Sequence, residues 1–394
     1  MTTTAMSTPT TSYDVDALRA REFPWAAAGE AIFFNHASTG PLPQRTLEAT
    51  AEFNQVRGAP HRMSDALQFN TLVRSRDLIA RLIGAHTSEI ALATNTTYGI
   101  NLAAFSLPLG PGDVVLTPDL EFPANVYPWM HAAKVRGFEY RRVPATDGVT
   151  TTESLLAALE TPGVRALSAS WSGFASGACV DLAALGAACH ERGIFFVVDA
   201  IQGLGPLTVD LSAMHVDIFA CGAQKWLLSP WGSGFVYVRD SLVRELEPHD
   251  VSWLAVKSSD DFTRLLDYDP AWRDDARRFE FITLPFQDFA GMNASLELIH
   301  ELGPANVSAH IVRLADRIVE RVSQCEHLRL FTPADRSRRG GIVAVRPPDP
   351  TATSVRLRAA GVIHTVREGA VRLAPHAYNT AAEIDHALAV IAKA

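Results

Sequence analysis

Short apolar segments alternate with helical segments along the first two thirds of the chain, and this alternation restricts the fold more than any other feature. The strand-like segments are EIALATN, DVVLTP, VRALSASW, IFFVVDA, DIFACG and GFVYVR. Apolar residues recur at helical spacing in TLEATAEFNQVRG, TLVRSRDLIARLIG and LAALGAACHERG, the last of which ends on a glycine as helices often do. Strands joined by helices form a largely parallel sheet. The sequence therefore predicts an α/β protein with a mostly parallel central sheet flanked by helices.

The pattern changes near residue 290. Helical segments dominate there, namely NASLELIHELG, SAHIVRLADRIVERV and AEIDHALAVIAKA, with short strand-like stretches such as GIVAVRP between them. We therefore predict a large domain over residues 25–280 and a smaller α+β domain over residues 281–394. Residues 1–24 are predicted to form a flexible tail and arm. A chain of 394 residues is long enough for both domains to bury a core.

Composition excludes several classes of protein. Hydrophobic residues make up 47% of the chain and charged residues 20%, which is too apolar for a disordered protein. The net charge of -8 argues against a nucleic-acid-binding surface. No apolar run approaches the roughly 20 residues that span a bilayer, and MTTTAMSTPTTSY lacks the features of a signal peptide. We therefore expect a cytoplasmic protein with neither a membrane nor a nucleic-acid partner.

The four cysteines indicate neither a disulfide framework nor a metal site. Cys179, Cys189, Cys221 and Cys325 show no CxxC spacing and no neighbouring histidine cluster. A reducing compartment fits this usage. We interpret Cys221 as a small buried apolar residue and not as a nucleophile.

Polar and aromatic side chains follow the predicted strands at their carboxyl ends, where open parallel sheets bind ligands. These residues are Thr96, Thr97, Glu121, Phe122, Asp199, Gln202 and Lys225. Each alone has an ordinary structural explanation, since Asp199 could cap a helix and Phe122 could belong to the core. Together they predict one crevice that presents an acid, an amide, an aromatic ring, hydroxyls and a lysine.

Pyridoxal phosphate is the ligand whose chemistry needs this set. Its aldehyde is held as a Schiff base on a lysine, here Lys225, and its pyridine nitrogen needs a carboxylate, here Asp199, so that the ring can act as an electron sink. Its phosphate needs hydroxyls and backbone N–H groups at a helix N-terminus, which Thr96 and Thr97 would supply. A lysine desolvated beside this cofactor has a lowered pKa and can act as a nucleophile and proton carrier.

These motifs resemble those of the class V aminotransferase family, the fold-type I pyridoxal phosphate enzymes that include cysteine desulfurases and isopenicillin-N-epimerase-like proteins. The resemblance runs from FFNHASTGPLP to VRLAPHAYNTAAEID, and VVDAIQG followed by GAQKWLLSPWGSGF carries most of it. It implies a large domain and a smaller α+β C-terminal domain. It also implies an enzyme that acts at Cα of an amino acid through an external aldimine, as a homodimer with shared active sites.

The resemblance assigns further cofactor contacts. Gln202 would hydrogen-bond the phenolic oxygen, and Gln224 would offer its amide to the phosphate. Phe122 stands where desulfurases stack a histidine on the ring, so stacking is kept and an imidazole acid/base is lost. Thr283, in RRFEFIT, would reach the phosphate of the partner subunit.

On the substrate side, Arg372 matches the arginine that grips an α-carboxylate bidentately, and Asn35 and His36 match the segment that borders the substrate. The cysteine-bearing loop that desulfurases carry before this arginine is missing, because VIHTVREGAVRLAP contains no cysteine. Persulfide chemistry on a protein thiol is therefore not expected.

The reaction at Cα stays open at this point. Lys225 is the expected base, and we expect aminotransferase-type chemistry. A C–S or β-elimination lyase, an epimerase with a second base, and a decarboxylating oxidative deaminase are alternatives, and a non-catalytic cofactor-binding regulator is a more remote one. Candidates for a second acid/base are His36, His61, His364 and His376, although a lone histidine is more often structural.

Overall fold

A computed structural model describes residues 13–146 and 148–393 of the chain. The strands are β1 Ile32–Phe33, β2 Ile90–Leu92, β3 Val114–Pro118, β4 Glu139–Val143, β5 Val164–Ser170, β6 Phe195–Asp199, β7 Ile218–Gly222, β8 Gly234–Val238, β9 Arg329–Leu330, β10 Val343–Arg346, β11 Val362–Ile363, β12 Thr365–Arg367 and β13 Ala370–Leu373. The α-helices are α1 Val15–Glu22, α2 Pro24–Ala27, α3 Gln44–Gly58, α4 Asp65–Ile83, α5 Thr96–Ser106, α6 Tyr127–Arg136, α7 Thr152–Ala158, α8 Leu182–Glu191, α9 Asp240–Glu245, α10 Phe286–Leu302, α11 Pro304–Ser323, α12 Pro350–Ala359 and α13 Ala381–Ile391. In these two ranges no helix is long and apolar enough to cross a membrane.

A seven-stranded sheet lies at the centre of the larger part of the chain, in the order β2-β8-β7-β6-β5-β3-β4. The five neighbouring strands β7, β6, β5, β3 and β4 pair in parallel. Strand β8 runs antiparallel to both β7 and β2. All six strands predicted from the sequence are present, and the prediction of a mostly parallel central sheet is confirmed. The charged strand β4, which lies at the sheet edge and is largely exposed, is not predicted by the sequence pattern.

The inner strands are apolar on both faces because both faces of the sheet are covered. Along β6, Phe196 and Val198 enter the core on one side, and Val197 enters the core on the other. Continuous apolar runs of this kind are typical of parallel strands between helical layers. The parallel arrangement brings the carboxyl ends of β5 and β6 together, with Ser170 and Asp199 paired across them.

A four-stranded antiparallel sheet, in the order β12-β13-β10-β9, forms the centre of the smaller part. Helices α11, α12 and α13 pack on it through one apolar core. The packing crosses the predicted boundary at residue 281 in two places. Strand β1 pairs with β11, and α10 contributes Phe289, Met292 and Leu296 to the core of the large sheet.

The segment 13–24, part of the predicted flexible tail and arm, is largely helical and packs on the rest of the chain. Asp14 caps α1 by accepting hydrogen bonds from the backbone N of Asp16 and Ala17. Leu18 is buried, and Arg19 forms an ion pair of 2.8 Å with Glu383 of α13. The remainder of the predicted tail, residues 1–12, lies outside the described residues.

Candidate active site

Lys225 stands in the tightly packed loop that joins β7 to β8. The backbone N of Gly40 donates to the carbonyl of Gln224 at 2.8 Å, which fixes the loop from the N-terminal side. Burial lowers the pKa of Lys225 to about 8, the negative charge of Asp199 opposes this shift, and the positive charge of Arg372 adds to it. Lys225 is therefore an amine that loses its proton much more readily than an ordinary lysine, and it senses the charges of both an acid and a guanidinium.

Asp199 ends β6 and is buried. Its Oδ1 accepts a hydrogen bond of 3.0 Å from the backbone N of Ile201. Burial raises the pKa of Asp199 to about 6, and the Lys225 charge acts in the opposite direction. A buried carboxylate with a single backbone donor is costly unless a cationic donor joins it. A protonated pyridine nitrogen is such a donor, so Asp199 fits the cofactor predicted from the sequence.

Glu121 is a second carboxyl group at this edge of the sheet; it is half-buried, and it belongs to the predicted crevice without a predicted role. Its oxygens accept from the backbone N of Ser170 at 2.7 Å and from the Ser170 hydroxyl. Burial raises the pKa of Glu121 to about 7, and the charge of Asp199 contributes in the same direction. The only signal for it in the sequence is its position just after β3.

Phe122 lies over the lysine, with its ring centroid 5.7 Å from Lys225 Nζ. The residue is 46% exposed, so part of its ring is accessible to a ligand. Phe174 meets it edge to face at 5.3 Å between ring centroids. The position suits the stacking role predicted for Phe122.

The N-terminus of α5 supplies an anion site of the kind that a phosphate needs. Asn95 caps the helix by accepting from the backbone N of Tyr98 at 3.0 Å. Thr96 Oγ1 accepts from the backbone N of Gly222 at 2.9 Å, which ties the helix to the end of β7, and Thr97 is exposed. The first backbone N–H groups of a helix have no partner within it, and its dipole favours an anion there.

Two amide side chains border this crevice in different ways. Gln202 donates from Nε2 to the carbonyl of Ala37 and accepts at Oε1 from Trp226 Nε1, both at 2.9 Å. One of its N–H groups therefore remains for a ligand oxygen. Gln224 has a buried Oε1 that finds no partner among the residues described.

Arg372 lies on the central strand β13 and is buried, with 2% of its surface exposed. It donates from Nε to Thr365 Oγ1 at 3.2 Å, from Nη1 to the carbonyl of Phe174 at 2.6 Å and from Nη2 to Ser38 Oγ at 2.8 Å. Burial lowers the pKa of Arg372 to about 10, and no carboxylate in the described part of the chain offsets this. A buried guanidinium without a counter-ion favours an anionic ligand.

His36, predicted to belong to the segment that borders the substrate, has protein partners on both ring nitrogens. It is fully buried, its Nδ1 bonds the carbonyl of Ala374 at 2.7 Å, and its Nε2 bonds the Tyr378 hydroxyl at 2.9 Å. Both ring nitrogens are thus used in holding the N-terminal segment against the end of β13. The neighbouring Asn35 keeps a buried Oδ1 that no described group reaches.

Two of the other histidines considered for a second acid/base are hydrogen-bonded to protein groups, and the third is exposed on a turn. His376 Nε2 bonds the Trp226 carbonyl at 2.9 Å, and burial lowers its pKa to about 4. His364 bonds Ser354 and a backbone carbonyl, and His61 is exposed on a short turn after α3.

Three of the four cysteines have environments that disfavour a thiolate. Cys179, Cys189 and Cys221 are buried, and burial together with the Asp199 charge raises the pKa of Cys221, which disfavours a thiolate. Within residues 13–146 and 148–393, no group of three or more histidine, cysteine or acidic side chains could hold a metal ion.

A desolvated lysine, a buried aspartate and a helix N-terminus at the carboxyl ends of a mostly parallel sheet define a pyridoxal phosphate enzyme of fold type I. The family Aminotransferase class-V matches residues 32–386, and the chain belongs to this family. The predicted family, fold and cofactor are confirmed.

Similarity to known proteins extends over most of the chain. It is 31% identical over 380 residues to isopenicillin N epimerase of Streptomyces clavuligerus, covering 90% of this chain and 92% of that protein. It is 27% identical over 306 residues to a probable cysteine desulfurase of Methanothermobacter thermautotrophicus, covering 76% of this chain and 74% of that protein. A solved structure of a lysine-to-alanine mutant of C-DES, with glycine covalently linked to its pyridoxal phosphate cofactor, shares the fold with a TM-score of 0.86 at 22% identity, over 95% of this chain and 99% of that one.

Proposed function

We propose that this enzyme removes the Cα proton of an amino acid with Lys225 and carries out transamination. One observation carries the proposal: the buried, uncompensated guanidinium of Arg372 and the amine of Lys225 are close enough for the first to lower the pKa of the second. Arg372 could then bind the α-carboxylate of an amino acid while Lys225 lies near its α-amino group and Cα.

The residues that would hold the cofactor fit its chemical groups. Asp199 has an open oxygen for the pyridine nitrogen, part of the Phe122 ring is accessible, and the N-terminus of α5 with Thr96 and Thr97 suits the phosphate. The free N–H of Gln202 suits the phenolic oxygen. When bound, pyridoxal phosphate supplies a ring that withdraws electrons from Cα and an aldehyde carbon that exchanges amino groups.

Arg372 has the donors that a carboxylate needs. Three of its five N–H groups bond Thr365, Phe174 and Ser38, so two N–H groups remain, one on each terminal nitrogen. The substrate carboxylate would accept from both and would supply the missing negative charge.

Lys225 can hold and release a proton at Nζ near neutral pH, because its pKa of about 8 is close to the working range of a general base. Transamination needs only this one base. We do not assign a second base to the four histidines considered above. His36 and His364 have protein partners on both ring nitrogens, His376 is buried with its Nε2 bonded to Trp226 and a pKa lowered to about 4, and His61 is exposed.

Epimerisation is the second candidate, and Glu121 is the observation that favours it. An epimerase needs a second acid/base, and Glu121 has a pKa of about 7 beside Asp199. The relative of highest identity among those described above is named an epimerase.

We also propose a homodimer that shares its active sites. Thr283 is exposed before α10, and the exposed aromatic side chains Trp231, Trp253 and Phe281 provide apolar surface for a second copy. The four free cysteines fit a reducing cytoplasm.

Proton exchange in heavy water tests the reaction. Holoenzyme would be incubated with each common amino acid, and deuterium at Cα, 2-oxo acid and D-isomer would be measured. We expect exchange and 2-oxo acid formation; D-isomer formation without 2-oxo acid would select epimerisation instead. Lys225→Ala should abolish exchange, whereas Lys257→Ala, on the surface, should not. Exchange that persists in Lys225→Ala would overturn the proposal.

A further inference from the structure

A cavity of about 360 Å³ opens beside the active site, between the large sheet and the small sheet. Its wall on the large-sheet side includes Glu121, Ser170 and Phe174. Its wall on the small-sheet side includes Phe331, Arg346 and Glu368. We call it the side cavity.

Phe174 joins the side cavity to the substrate position. Its carbonyl accepts from Arg372 Nη1 at 2.6 Å, and its ring packs on Phe122, which in turn covers Lys225. A Cα held between Arg372 and Lys225 therefore has the side cavity next to it, so this space is available to the substrate side chain.

The volume is far more than a short side chain occupies. At about 30 Å³ for each water, the cavity corresponds to roughly a dozen water molecules. Ala175, Ala178, Val180 and Phe331 give it an apolar lining, which suits a methylene or thioether chain. A substrate as small as alanine or cysteine would leave most of this space to water.

Two opposite charges stand on the small-sheet wall. The Arg346 guanidinium lies 3.7 Å from the centroid of the Phe331 ring, and its Nη2 donates to the backbone carbonyl of Glu368 at 3.4 Å. This contact uses the backbone of Glu368 and leaves its carboxylate free. Both residues are exposed, and among the described residues neither charge has an ion-pair partner, so both are available to a ligand.

The other acids of the wall are already engaged. Asp119 pairs with Arg142 at 3.4 Å, and Glu121 accepts from Ser170. Among the lining residues that the structure describes, the charged groups without an ion-pair partner are therefore one cation and one anion, Arg346 and Glu368.

We propose that the side cavity receives an amino acid whose side chain ends in a second amino-acid head group, with Arg346 binding the distal carboxylate and Glu368 binding the distal ammonium. A ligand with one distal charge would leave the opposite wall charge unmatched, whereas a zwitterionic end complements both. This inference rests on the proposed function, because it needs the first head group at Arg372 and Lys225.

The test uses a matched set of ligands with the holoenzyme. Lanthionine carries both distal groups, and S-ethyl-L-cysteine carries neither. S-(2-carboxyethyl)-L-cysteine carries only the distal acid, and S-(2-aminoethyl)-L-cysteine carries only the distal amine. The half-saturating concentration for the change in cofactor absorbance is measured for each. We expect lanthionine to bind about tenfold more tightly than the S-ethyl compound, with the two singly charged ligands between them.

Two variants assign the charges. Arg346→Gln should weaken the binding of lanthionine and of the carboxyethyl ligand about threefold to tenfold and leave the binding of the aminoethyl ligand unchanged. Glu368→Gln should weaken the binding of lanthionine and of the aminoethyl ligand by a similar factor and leave that of the carboxyethyl ligand unchanged. Arg358→Gln, on the exposed side of α12, is the control and should change none of them.

The outcomes separate this inference from the proposed function. If the S-ethyl compound and alanine perturb the absorbance but lanthionine binds no better, the side cavity does not bind a zwitterionic end. The inference then fails while the proposed function stands. A lanthionine preference that survives both variants would also overturn it. If no amino acid perturbs the absorbance, the proposed function fails and this inference falls with it.

Discussion

Lys225 and Asp199 each shift the pKa of the other through charge alone, without a hydrogen bond between them among the described residues. The pKa of the lysine lies at about 8 and that of the aspartate at about 6. Two opposite charges that interact across a gap leave room for a group that contacts both. This separation is what a flat ring with an aldehyde and a basic nitrogen requires.

Borohydride reduction of the purified protein should fix the cofactor on Lys225, because a desolvated amine of lowered pKa is the nucleophile that the aldehyde needs. We expect a yellow protein that loses its visible absorbance on reduction. Peptide mapping should place the added mass on Lys225. Reduced cofactor on a different lysine would contradict the assignment.

Asp199→Asn should keep the fold and much of the cofactor but lower kcat by roughly a hundredfold or more, because the carboxylate stabilises charge that develops in the transition state. Steady-state kinetics and circular dichroism would separate the two effects. Asp217→Asn is a matched control, since Asp217 is a buried structural aspartate that accepts from the backbone N of Phe196. It should reduce stability without the same selective loss of kcat.

Arg372→Lys should raise KM about tenfold or more, with a smaller effect on kcat, because a point charge cannot reproduce two parallel hydrogen bonds to a carboxylate. The exposed neighbour provides the control variant, Arg367→Lys. If KM for the true substrate stays the same in Arg372→Lys, no α-carboxylate binds at this position. The substrate would then be an amine or a keto compound.

The strand ends could be predicted because short apolar runs and the residues that follow them are local features of the sequence. Asp199 ends its strand, and Phe122 and Lys225 follow theirs within a few residues. The edge strand β4 could not be predicted, because its EYRRV segment is charged and largely exposed and contains no apolar run. Edge strands often carry charge because it discourages pairing with other chains.

The environments of His36 and Glu121 could not be predicted because they depend on burial and on contacts with residues far away in the sequence. His36 stands in a segment that borders the site, but its partners Ala374 and Tyr378 lie more than 300 residues further along the chain. The raised pKa of Glu121 likewise depends on desolvation in the folded chain and on the charge of Asp199, which together outweigh the opposing hydrogen bonds from Ser170. Neither environment leaves a periodic or compositional signal near the residue itself.

Thr283→Ala should weaken cofactor retention about tenfold to a hundredfold if the hydroxyl bonds the phosphate of the partner subunit. Thr263→Ala, in an exposed turn, serves as the control. Mixed dimers of Thr283→Ala and Lys225→Ala subunits sharpen the test, since sharing across the interface would restore one complete site in each mixed dimer. Sedimentation should show a dimer, and an active, cofactor-loaded monomer would contradict the arrangement.

Glu121→Gln should change the pH dependence of stability in the cofactor-free protein. Burial raises the pKa of Glu121 from its ordinary 4.5 to about 7, so the folded state keeps a proton that the unfolded state has already released. The stabilisation from this group is fully present below about pH 4.5 and is lost as the pH rises through 7. A glutamine cannot ionise, so the free energy of unfolding of the variant should gain about 2–3 kcal/mol relative to the parent between pH 4.5 and pH 8. Urea unfolding at both pH values measures this, with the exposed Glu153→Gln as control. A difference in stability that does not vary with pH would mean that Glu121 ionises normally, and the case for Glu121 as a second acid/base would be lost.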